Sequence, residues 1–96
     1  MSSLKTIEKT LKRNKPVLME RFKVKSIGVF GSYARSEEDR ESDVDLLVEL
    51  EEPIGWEIVD LKEFLEDILE LRVDIVTTKA LRRELNETIM REVVFA

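Results

Sequence analysis

The sequence contains no cysteine and no histidine. The first absence excludes disulfides and thiolate metal sites, and it fits a reducing cytoplasm. The second removes imidazole as a ligand, so any metal bound by this chain must be held through oxygen, which favours magnesium, calcium or manganese. Glutamine is missing too and asparagine occurs only twice, against an abundance of Glu, Lys and Arg; that balance leans towards a thermophilic source. With three glycines and two prolines, the chain has no long linker and no low-complexity tract. No run approaches the roughly 20 apolar residues of a membrane span. The stretch "MSSLKTIEKTLKRNK" carries charges every few residues and no apolar core, unlike a signal peptide. A net charge of −5 argues against a protein that works by coating nucleic acid, which normally presents a basic patch.

What remains is a chain of 96 residues, 43% hydrophobic and 39% charged. We expect one domain over residues 1–96, with a single core and a densely charged surface. Leu4, Ile7 and Leu11 recur at helical spacing, with Ser2 or Ser3 able to cap. Asn14 is a candidate cap for a second helix, because Pro16 is acceptable in a first turn. The expected helices are 4–13 and 15–22, with Val17, Leu18 and Phe22 inward. "VKSIGVF" (24–30) reads as a strand ended by Gly31, and "DVDLLVEL" (43–50) as a second. On that second strand Val44, Leu46, Val48 and Leu50 share one face, and Asp43, Asp45 and Leu47 the other. Ile58, Leu61, Leu65, Ile68 and Leu69 predict a helix over 55–70. "LRVDIVT" (71–77) is a third strand, and a last helical region follows over 79–93, capped by Thr77 or Thr78 and built on Leu81, Leu85, Ile89 and Val93.

This order predicts an α/β (α+β) fold, a small mixed sheet with packed helices. The short link between the first two strands allows only antiparallel pairing, and the helix between the second and third allows a right-handed parallel crossover. The C-terminal end of the first strand then lies beside the start of the second, which brings Gly31 and Ser32 towards Asp43 and Asp45. Asp74, a charged residue in an otherwise apolar strand, lies in the neighbouring strand. Asp-x-Asp before a strand is ordinary turn chemistry, and a lone mid-strand Asp can be a solvated edge residue or a partner for Arg72. Three aspartates on one sheet face are more informative, because they repel one another unless cations hold them. A divalent metal, Mg²⁺ foremost, suits carboxylates that leave positions open for phosphate. The Gly31 turn supplies the complement: backbone N–H groups able to face an anion, the Ser32 hydroxyl, and the Arg35 guanidinium. It is not a P-loop, since Gly-x-x-x-x-Gly-Lys-Ser/Thr is absent.

"GSYARS", the ten residues between Ser32 and Asp43, "DVD", and "VDIV" after a helix together resemble the signature of the DNA polymerase beta-like nucleotidyltransferase superfamily. The size and element order resemble its minimal branch, the MNT antitoxins that act beside HEPN-type ribonuclease toxins, and the resemblance spans almost the whole chain. It implies a nucleotidyltransferase fold, ATP as substrate with two Mg²⁺ ions, and adenylylation of a tyrosine on the toxin. On that reading Asp43, Asp45 and Asp74 are catalytic and metal-binding, while Gly31, Ser32 and Arg35 bind the nucleotide. Ser36 departs from the pattern, which often has Gly after the Arg, and is expected to stiffen the turn slightly. Two other readings stand beside this one: a non-catalytic antitoxin that masks its toxin, or transfer to a small molecule or nucleic acid, which 96 residues without a basic groove disfavour. Trp56 is expected to pack at the start of its helix, and Tyr33 to shape the nucleotide pocket or cover the turn. "SEEDRESD" is expected to be a solvated loop edge, and the terminal "VVFA" to dock on the sheet.

Overall fold

The computed structural model describes residues 3–39, 42–52, 55–80 and 83–96, with the backbone alone for 83–85. Helices α1 (Leu4–Arg13) and α2 (Lys15–Phe22) lead into strand β1 (Val24–Phe30), the one-turn helix α3 (Gly31–Ala34) and strand β2 (Val44–Leu50). Helix α4 (Glu57–Leu69) and strand β3 (Val73–Thr77) follow, then a 3₁₀ turn (Thr78–Ala80), helix α5 (Arg83–Glu92) and strand β4 (Val94–Phe95). The strands form one mixed sheet in the order β3-β2-β1-β4. β1 is antiparallel to β2, β2 is parallel to β3, and β4 runs antiparallel to β1.

Local chemistry explains the boundaries. The Ser3 side chain accepts from the Thr6 N–H and caps α1. Pro16 sits in the first turn of α2, where its missing N–H costs nothing. Asn14 occupies the expected cap position, but its side chain donates back to the Thr10 carbonyl at 2.8 Å instead of capping α2. Val17, expected inward, lies on the exposed side of α2, while Leu18 and Phe22 are buried. α4 buries Leu61, Leu65 and Leu69, one helical turn apart, and ends at Glu70 in the left-handed region (φ 55°).

The core forms against one face of the sheet. Val44, Leu46 and Val48 of β2 pack with Ile27 and Val29 of β1 and with the buried faces of α1, α2 and α4. Val24 joins them despite its odd spacing, because a register shift between Val24 and Ser26 turns it to the same side. The sequence places "VVFA" on the sheet, and it docks there as a short edge strand, with Phe95 opposite Gly28 and Val94 opposite Val29. Gly28 makes this possible: a Cβ there would meet Val93 Cγ2 at 2.6 Å and Phe95 Cδ1 at 3.0 Å. Leu81 lies outside the described residues, as does the Leu85 side chain, whereas Ile89 is buried as anticipated. Trp56 contradicts its expected packing: it is 89% exposed at the start of α4, because the helix directs Ile58, Leu61 and Leu65 to the core and leaves Trp56 outside that stripe.

Candidate active site

The sheet register builds a row of side chains on the face opposite the core. Phe30 of β1 pairs with Asp45 of β2, which pairs with Asp74 of β3. The site therefore sits where β1 ends and β2 begins. Asp45 is half-buried, whereas Asp43 and Asp74 are exposed. Burial, reinforced by the neighbouring Asp74 and Asp43 carboxylates, raises the Asp45 pKa above its ordinary value. Asp45 thus senses the charge of both neighbouring aspartates. Among the described residues, however, no group of three acidic side chains is gathered tightly enough to hold a metal ion. Asp43 is turned towards Arg72, whose Nε lies 3.2 Å from Asp43 Oδ1. Asp74 is exposed on an edge strand, in keeping with its plainer reading as a solvated edge residue or a partner for Arg72, and Arg72 makes an ion pair with Asp43.

The turn after β1 comes up against this row. Gly31 takes φ +75°, a conformation that side chains resist, and a Cβ on it would collide with the Asp45 carboxylate. Both constraints require glycine where the sequence has it. α3 then starts at once, with the Arg35 N–H donating to the Gly31 carbonyl at 3.1 Å and the Glu37 N–H to the Ser32 carbonyl at 2.8 Å. Tyr33 is buried and belongs to the core, and burial first, then Glu38, Asp39 and Asp43, raises its phenol pKa and keeps it neutral. Tyr33 therefore underpins the turn. Ser36 closes it at φ 57°, in the left-handed region that glycine would occupy without strain.

Glu92, at the end of α5, is a site residue that the sequence does not announce. Its Oε1 accepts from the Gly31 N–H at 2.9 Å, and its two carboxylate oxygens take Arg35 Nη1 at 3.2 and 3.0 Å. Arg35 also bonds Glu37 through Nε at 3.1 Å, and these hydrogen bonds, Glu37's before Glu92's, raise the guanidinium pKa further. The pairing of β4 with β1 explains the approach: continuing that register by two residues sets Glu92 opposite Gly31. A charged residue immediately before an apolar tail is the available signal.

With this geometry in hand, the relatives are informative. The Nucleotidyltransferase domain family matches residues 4–96. The protein adenylyltransferase MntA of Thermococcus cleftensis is 47% identical over 96 residues, covering 99% of this chain and 97% of its own. A solved chain provisionally described as a minimal nucleotidyltransferase superposes with a TM-score of 0.80 at 36% identity, over 97% of this chain and 95% of that one. A toxin–antitoxin crystal structure with AMP-PNP aligns with a TM-score of 0.68 at 25% identity, over 91% of this chain and 66% of that one. The match over nearly the whole chain, in sequence and in fold, makes this protein a member of the nucleotidyltransferase domain family, built on the minimal nucleotidyltransferase fold.

Proposed function

We propose that this chain is a protein adenylyltransferase that moves AMP from ATP to a tyrosine of a HEPN-type ribonuclease toxin and so neutralises it. The observation that carries the reading is the register pairing of Asp45 with Asp74, directly beside the Gly31–Ser32 turn. Phosphate donors and carboxylates are thereby brought to one end of one sheet. The Gly31 and Ser32 backbone, the Ser32 hydroxyl and the Arg35 guanidinium bind the triphosphate oxygens. The acceptor hydroxyl attacks the α-phosphorus, the bond from that phosphorus to the bridging oxygen breaks, pyrophosphate leaves, and Asp74 helps take the hydroxyl proton. An all-oxygen donor set of mutually repelling aspartates suits Mg²⁺, which Asp43, Asp45 and Asp74 would hold once Asp43 exchanges Arg72 for the cation. Two Mg²⁺ ions held there would neutralise charge at the α-phosphate of the adenylyl group and on the departing pyrophosphate.

The partner follows from charge. A ribonuclease with a basic RNA-binding surface complements a chain of net charge −5. The name of the Thermococcus relative and the toxin–antitoxin structure with AMP-PNP support the same reading. One observation favours a masking antitoxin instead: among the described residues, the carboxylates are not gathered into a metal cluster. Incubating the protein with Mg²⁺, the product of its neighbouring gene and ATP labelled at the α- or the γ-phosphate separates the two. Adenylyl transfer puts α-label, and no γ-label, on a partner tyrosine. A tight complex with no label from either position would overturn transfer in favour of masking, and γ-label alone would mean a kinase.

A further inference from the structure

The Glu92 carboxylate stands on donors that the nucleotide needs. It holds the Gly31 N–H and both of its oxygens face Arg35 Nη1, so one side-chain anion occupies a backbone donor and a guanidinium at once. Glu92 ends α5, two residues before β4 pairs with β1, and this connection keeps the carboxylate next to the turn. The side chain is not sealed in: Glu92 is 22% exposed and Arg35 45% exposed, so the pair can open to an incoming ligand without unfolding anything. A carboxylate and a phosphate compete for the same charge-assisted hydrogen bonds, and they cannot share them without like-charge repulsion.

We propose that Glu92 is a specificity-determining residue, an internal competitor that occupies the Gly31 and Arg35 donors until a polyphosphate displaces it. This rests on the triphosphate reading of the Gly31–Arg35 turn given above. A di- or triphosphate, with more oxygens and more charge than one carboxylate, can take the backbone donor and the guanidinium together. The same competitor returns to Arg35 when pyrophosphate leaves, which assists product release. Glu92 thus tunes the site against weakly charged anions and against retention of its own product.

Equilibrium binding of adenosine, inorganic pyrophosphate with Mg²⁺, and ATP with Mg²⁺ tests this with the parent chain, Glu92→Gln, Glu92→Asp and Ser32→Ala. Glu92→Gln keeps an oxygen for the Gly31 N–H but loses the charge. It should bind pyrophosphate and ATP about tenfold more tightly, the scale of one charge-assisted hydrogen bond no longer contested, and bind adenosine as the parent does. Glu92→Asp, too short to span both donors, should fall between parent and Gln, and it serves as the sole test if Glu92→Gln does not fold. Unchanged or weaker pyrophosphate binding in these variants, while Ser32→Ala weakens ATP binding, would overturn the competitor role and leave Glu92 a structural partner of Arg35. If Ser32→Ala leaves ATP binding unchanged, the triphosphate reading of the turn fails, and the competitor role fails with it. A change that includes adenosine would mark a structural effect and also overturn the proposal.

Discussion

The two faces of β2 are built from alternate residues of one seven-residue strand and behave in opposite ways. On one face Val44, Leu46 and Val48 are fully buried among the residues of α1, α2 and α4. This face belongs to the hydrophobic core, and its burial contributes to stability. On the other, Asp45 is paired in register with Asp74, flanked by the collision-prone Gly31 and sensed by Asp43. The first face holds the sheet together; the second gathers like charges that folding alone would separate. On the proposed function, stability and catalysis therefore occupy adjacent residues, and substitutions at Leu46 and at Asp45 should have opposite signatures.

The largest effect should come from the core face. Leu46→Ala removes a fully buried side chain from the centre of the sheet and should lower unfolding free energy by about 2–5 kcal/mol, read by chemical denaturation. A loss under about 1 kcal/mol would mean that this face is not the main source of stability. A smaller and opposite effect belongs to the turn beside the site. Ser36 sits at φ 57°, so Ser36→Gly should relieve left-handed strain and raise stability by roughly 0.5–1 kcal/mol after glycine's own entropy loss. A destabilised Ser36→Gly would show that the serine side chain stabilises the turn in another way.

Much of this contrast is legible in the sequence. Period-two alternation in "DVDLLVEL" assigns the faces of β2, and the short link and the crossover helix fix the antiparallel and parallel pairings that carry Gly31, Asp45 and Asp74 together. What escapes is non-local or too short to show a period. β4 is two residues long and is stabilised by pairing with β1 over a bare Gly28, which no local pattern announces. Glu92 reaches Gly31 across 61 residues only because of that pairing. Trp56 misleads because a large aromatic side chain usually buries itself, whereas the first turn of α4 points it away from the sheet. The orientation of Asp43 is likewise hidden, since Arg72 comes from the connection just before β3.

On the proposed function, the Asp45 carboxylate serves the site and works against the fold. Burial and neighbouring aspartates raise its pKa above the ordinary value of about 3.9. The folded chain then keeps a proton that the unfolded chain has released. Stability should fall as pH rises through the interval between those two values and stay reduced at neutral pH. Asp45→Asn keeps the shape, removes that pH dependence, and relieves the repulsion. Thermal melts of both proteins near neutral pH, with and without Mg²⁺ and ATP, test this most directly. Without ligand, Asp45→Asn should melt at the same temperature as the parent or higher; with ligand, it should lose most of the stabilisation the parent gains, because a ligand stabilises only the state it binds. An Asp45→Asn protein that unfolds without ligand, or that keeps the parent's full ligand-induced shift, would show that the carboxylate is structural rather than part of the nucleotide site.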